Sequence, residues 1–195
     1  MEQKPNFWKD AIKPSLIISL ISIILSVLVY VFDLITIGLF AGFLIGILSF
    51  IISIVIFVFL LKAYRNDKLN GFMTYGKALL FGIIIAVYAS FILSAYNTIF
   101  NTVIDPEYEK NIAIKIQDKT EEFMINKGLP DEAIEDAIQK SQEKIKEIDE
   151  KSIMRKTMGV FLVNFIMLFI AVLIAAAFAK KEGDPFKTAM QEVEE

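Results

Sequence analysis

The sequence predicts an all-α integral membrane protein: four transmembrane helices packed as a bundle, with an extracytoplasmic antiparallel helical hairpin between the third and the fourth. Three observations carry that expectation. Hydrophobic residues are 55% of the 195, and with glycine added the apolar share reaches roughly 59%, against ~45–50% for soluble domains. Four uncharged apolar stretches each approach or exceed the ~20 residues that an α-helix needs to cross a bilayer. The charged residues, 22% of the chain, gather in one segment, 105–155, and at the ends of the apolar stretches. A mean hydropathy of +0.56 agrees.

The first span covers 14–32. Lys4, Lys9 and Lys13 precede it, as they would in a signal peptide, but its apolar run exceeds a ~7–15-residue signal core, and Asp33-Leu34-Ile35-Thr36-Ile37 follows instead of a small-x-small cleavage site. It is therefore expected to stay as an uncleaved helix. The second span, 38–61, holds 18 Leu, Ile, Phe or Val among 24 residues and no charge. It is apolar all round, which a helix of a soluble core is not. The third span, 78–100, completes a membrane block over 1–104. The fourth occupies 156–180, and 181–195 form a tail in which Phe186, Met190 and Val193 fall at helical spacing.

Segment 105–155 turns abruptly polar and acidic. Asp105-Pro106 reads as a helix start, with Asp as N-cap and Pro at the first helical position. Tyr108, Ile112, Ile116, Thr120 and Phe123 then recur at helical spacing up to the stop at Gly128-Leu129-Pro130. From Asp131, residues Ile134, Ile138, Ser141, Ile145 and Ile148 alternate by four and three, the seam of a short coiled coil. Two arms of about 33 Å follow at 1.5 Å per residue. With no Pro or Gly between Asp131 and Met158, the second arm is expected to run unbroken into the fourth span. The apolar seams either zip the arms together and leave a solvated outer face, or leave a tip or flank for a partner.

Inside the spans, small residues repeat once per helical turn. Ser15, Ser19, Ser22 and Ser26 mark the first helix, Gly38, Gly42 and Gly46 the second, Ala78, Gly82, Ala86, Ser90 and Ser94 the third, and Ala171, Ala175 and Ala179 the fourth. Lipid offers no hydrophobic drive for helix association, so close backbone approach at small residues takes its place. The expected packing positions are Ser19, Ser22, Gly38, Gly42, Gly46, Gly82, Ala86, Ser90, Ala171 and Ala175, with Asn164 hydrogen-bonding a neighbouring helix. The Gly38-Gly42-Gly46 face serves either the bundle or a homodimer.

The chemistry expected is negative. The chain has no His and no Cys, so imidazole bases, thiol nucleophiles and the usual zinc ligands are absent. No nucleotide or hydrolase motif occurs, and no ionisable residue lies deep in a span, where proton or ion pathways place them. We expect no enzyme activity, no catalytic residue, no cofactor and no metal. A net charge of -3 does not suit a nucleic-acid partner. The expected partners are the lipid bilayer and a membrane protein or a second copy of the chain. Lys9, Lys13, Lys62, Arg65, Lys68, Lys77, Lys180 and Lys181 flank the spans on one side, and the first loop has no Lys or Arg, so the positive-inside rule puts both termini in the cytoplasm and the hairpin outside. Arg155 and Lys156 oppose this, at the end of a long loop.

Ala63-Tyr64-Arg65-Asn66, then Asn70-Gly71-Phe72-Met73-Thr74-Tyr75-Gly76-Lys77-Ala78, and the close Ala175 to Lys181 resemble the domain of unknown function 4199 family of bacterial multi-span membrane proteins. The resemblance covers nearly the whole chain in span order. It implies a protein of the bacterial inner membrane, implies no activity, and carries no functional residue over. Gly71 and Gly76 would let the chain turn back into the membrane. The function expected is a structural or accessory subunit of an envelope complex acting through the hairpin. The alternatives are a small oligomeric transporter or channel, and an accessory to an enzyme that handles lipid-linked substrates.

Overall fold

The computed structural model describes residues 5–34 and 37–182; Lys4 and the expected tail helix through Phe186, Met190 and Val193 lie outside them. Among the described residues the protein is all-helical: α1 (Phe7–Asp10), α2 (Ile12–Val31), α3 (Leu39–Lys68), α4 (Tyr75–Ile99), α5 (Tyr108–Asn126), α6 (Asp131–Glu150) and α7 (Ile153–Ala179). Four runs, Phe7–Val31, Phe40–Lys68, Tyr75–Ile104 and Ile153–Ala179, are long and apolar enough to cross a membrane. Helix α3 continues about two turns beyond Leu61, because nothing in 62–68 breaks it. Pro14 stands inside the first turn of α2, where its missing N–H costs nothing.

The junctions explain the boundaries. Helix α5 ends in a Schellman motif: Gly128 takes φ +67°, its N–H donates to the Ile125 carbonyl at 2.9 Å and that of Leu129 to Met124 at 3.2 Å. Asp105 is not the N-cap expected of it. The helix starts later, with Glu107 at the cap position and no side-chain cap, because a five-residue π-helical turn, Phe100–Ile104, extends α4 and leaves Asp105 with its N–H on the Phe100 carbonyl. Nor do α6 and α7 form one helix. Lys151 turns extended at φ -71°, ψ 130°, and the Ser152 hydroxyl accepts from the Arg155 N–H at 3.4 Å, so a serine N-cap makes the break that proline or glycine would otherwise make.

The chain packs as two compact units. The first unit takes the described residues up to Ser22, with Phe50–Ile92 and the chain from Val163 on. Its core holds Ile18, Phe57, Leu61, Phe81, Ile85 and Val172, all fully buried. The second unit takes Ile23–Ser49 and Leu93–Leu162. Here α5 and α6 pack on each other, with Ile134 buried and Ile138, Ser141, Ile145 and Ile148 half-buried on α6. On α5 the half-buried residues include Ile112 and Thr120, both expected in the seam, with Ala113, Gln117 and Met124. Ile116 and Phe123, expected in the seam, are 42% and 51% exposed.

Candidate functional site

Two places concentrate polar chemistry, one in each unit. In the first unit, Asn70 and Gly71 take φ +52° and +82° at the end of α3, and the Gly71 N–H closes back on the Arg65 carbonyl at 3.0 Å. That turn aims the chain at α4. Gly76, inside the first turn of α4, needs no such freedom, and a Cβ there would meet nothing within 4 Å. Tyr64 stacks on Phe81 with centroids 3.7 Å apart, Phe7 stands edge-on to Tyr64 at 5.8 Å, and the Tyr64 hydroxyl donates to Asp10 Oδ2 at 3.1 Å. Asp10 also accepts from the Asn6 N–H at 3.0 Å.

Arg65 Nη1 donates to the Ala179 carbonyl at 2.8 Å, a cation on the negative end of α7. Met73 and Lys181 exchange two backbone hydrogen bonds, at 2.8 and 2.9 Å. The Tyr75 hydroxyl donates to the Leu173 carbonyl at 3.4 Å. The motif residues Tyr64, Arg65, Met73, Tyr75, Ala179 and Lys181 thus meet in one cluster. The bonds from Tyr64, Arg65, Met73 and Tyr75 to Asp10, Ala179, Lys181 and Leu173 each tie one element to another, so the chemistry of the cluster is that of a clasp.

In the second unit one face of α5 meets two other elements in succession. Tyr108 packs edge-on to Tyr30 at 5.1 Å and to Phe100 at 5.3 Å, the Tyr30 hydroxyl donates to Asp105 Oδ2 at 3.2 Å, and Lys115 pairs with Asp33 at 3.0 Å. A polar cavity of about 350 Å³ lies among Tyr30, Asp33, Asp105, Tyr108, Asn111 and Lys115. Burial foremost, with the Asp33 carboxylate next, raises the Tyr108 phenol above its ordinary pKa. Further along α5, Lys119, Glu122, Phe123 and Asn126 line a groove of about 580 Å³ with Ile37, Gly38, Phe40 and Phe43. Lys156 at the start of α7 lies 3.7 Å from Glu109. No group of three or more His, Cys, Asp or Glu side chains suited to a metal occurs among the described residues.

A family model described as a protein of unknown function, DUF4199, matches residues 13–181. The chain belongs to the DUF4199 family. No curated protein and no solved structure matches it. The matched region of this DUF4199 chain contains α2 to α7, the clasp from Tyr64 to Lys181, and both cavities of the second unit.

The expected packing residues of the DUF4199 chain fall into three groups. Ser19, Gly82, Ala86, Ser90, Ala171 and Ala175 are buried in the first unit. A Cβ added at Gly82 would lie 2.5 Å from Val172 Cγ1, so α4 and α7 approach as closely as that glycine permits. The Ser19 and Ser90 hydroxyls are buried without a hydrogen-bond partner. Ser22, Gly42 and Asn164 are half-buried. Gly38 and Gly46 face open space, with nothing within 4 Å of an added Cβ. Sequence reasoning missed the Tyr30–Phe100–Tyr108 cluster and the turning of Phe123 towards α3. The signal for the first was the aromatic spacing on either side of Asp105, which was read as a helix cap.

Proposed function

We propose that the protein is a non-enzymatic accessory subunit of a membrane assembly in the bacterial inner membrane, with both termini cytoplasmic and α5–α6 forming an outward hairpin that docks a partner. The observation that supports this reading is the apolar surface that remains after α5 and α6 have paired. Ile114, Ile125 and Leu129 are 39%, 58% and 40% exposed along α5 and at its end. An amphipathic pair that needed only its own seam would show water polar residues there. The acidic first turn of α6, Asp131 and Glu132, lies next to Leu129 and would select a partner with complementary charge.

Affinity isolation of the tagged protein from solubilised membranes tests the proposal, with Ile125→Glu and Leu129→Glu compared against the parent. The parent retains one or more co-purifying membrane proteins, and both variants lose them while keeping their expression level. Co-purification that survives both substitutions, and also survives removal of 107–150, overturns the hairpin's role.

A further inference from the structure

The groove between α5 and the start of α3 goes beyond that reading and does not rest on it. Phe40, Phe43 and Phe123 line it while remaining 72%, 65% and 51% exposed, so three large rings border a space that none of the described residues fills. A Cβ at Gly38 would meet nothing within 4 Å, which leaves the wall beside Phe40 open. Surface of this kind in a stable protein marks a site for something apolar.

The ends of the groove say what that is. Phe40 opens the run Phe40–Lys68, which is long and apolar enough to cross a membrane, so this end of the groove lies at the start of a segment suited to acyl chains. At the other end stand an ammonium, a carboxylate and an amide: Lys119, Glu122 and Asn126. Lys119 and Glu122 pair with each other at 2.9 Å across one helical turn, at 44% and 61% exposure. An exposed pair of that kind is worth little, so it opens readily to a phosphate on the lysine side and an ammonium on the carboxylate side. The size agrees. At about 30 Å³ for a water-sized group in a condensed liquid, about 580 Å³ holds roughly twenty such groups, close to one acyl chain of ordinary membrane length.

We propose that the groove binds a single phospholipid from the leaflet on the α5 side. One acyl chain lies against Phe40, Phe43 and Phe123, and the phosphate headgroup rests on Lys119 and Asn126. Glu122 favours headgroups that carry an ammonium.

Native mass spectrometry of the full chain in mild detergent tests this, after delipidation and titration with palmitoyl phosphatidylethanolamine and, separately, phosphatidylglycerol. The parent shows one retained lipid per chain, tighter for the ethanolamine headgroup. Phe123→Ala and Lys119→Glu each weaken retention roughly tenfold, the equivalent of about 1.4 kcal/mol and near half the value of a wholly buried phenylalanine. Phe59→Ala, at an exposed site on α3 outside the groove, leaves retention unchanged. Should Phe123→Ala lose helix content by circular dichroism, Lys119→Glu on the exposed rim decides alone. Absence of a one-to-one adduct in the parent, retention that Phe59→Ala weakens as much as Lys119→Glu does, or a dimer that forms in place of the adduct would each overturn the assignment.

Discussion

Gly82→Ala is the most direct test of the α4–α7 contact. An added Cβ would sit 2.5 Å from Val172 Cγ1, 3.2 Å from Cγ2 and 3.4 Å from Cβ, whereas carbon atoms prefer about 3.5–4.0 Å. The worst approach is therefore short by about 1 Å. Val172 is fully buried and β-branched, with essentially one χ1 rotamer open to it in a helix, so it cannot swing aside and the helices must separate. Overpacking of this sort costs about 1–3 kcal/mol, while alanine in place of glycine returns about 1 kcal/mol of helix propensity. The net loss is about 0–2 kcal/mol. Gly76→Ala supplies the control: it lies on the same helix with nothing within 4 Å of its Cβ, so only the propensity gain applies and the sign reverses. Unfolding by a rising fraction of denaturing detergent in mixed micelles, followed by far-UV circular dichroism, reads both. In a Val172→Ala background, which lacks both Cγ atoms, Gly82→Ala should lose most of its cost, a coupling of about 1–2 kcal/mol between touching residues. If Gly82→Ala gains as much stability as Gly76→Ala, or the double variant falls at the sum of the singles, the close approach is wrong.

Tyr64→Phe deletes the hydroxyl that donates to Asp10 and should lower stability by about 1–2 kcal/mol, seen as a lower thermal midpoint in detergent and absent from an Asp10→Ala background. The hydrogen bond from Lys151 holds the Glu147 carboxyl below the usual carboxylate range. A depressed carboxyl adds stability above the unfolded value that is lost as pH falls through the folded one, so acid should fray the end of α6 in the parent as pH falls below that range, and Glu147→Gln or high salt should remove that step in a circular-dichroism titration. A chain without native cysteine permits clean topology mapping: Gly128→Cys should react with an impermeant maleimide on intact cells and Asp67→Cys only after lysis, and the reverse pattern would invert the orientation.

How much of this was readable from the sequence depended on whether one residue type had one available role. The spans were readable because 18 large aliphatic or phenyl side chains in 24 positions leave no other environment. The turn after α5 was readable because Gly128 needs positive φ where few residues adopt it. Ser152 was not, since a serine can cap a helix or sit within one, and only the extended backbone at Lys151 decides for the cap. Gly38, Gly46 and Gly82 share one pattern, yet only Gly82 of the three has a neighbour in contact range. A small residue permits close approach without supplying the surface that approaches.

Helix α5 shows the same ambiguity in its strongest form. Its spacing was read as one apolar stripe through Tyr108, Ile112, Ile116, Thr120 and Phe123, which is a single face only if a single partner faces it. In the structure Ile112 and Thr120 are half-buried, while Tyr108 turns to Tyr30 and Phe100 and Phe123 to the mouth of α3. Periodicity detects that apolar residues recur and is blind to how many surfaces share them. Asp105 is the hinge of the difference. Had it capped α5 it would have been spent on the helix N–H groups, but the π-helical turn before it carries its carboxylate to the Tyr30 hydroxyl instead. Asp105→Ala therefore separates the two roles: a cap would shorten α5, whereas the observed bond predicts an unchanged α5 and a loosened Tyr30–Tyr108 contact, readable as a faster decay of the fluorescence anisotropy of a probe on α5 with helix content intact.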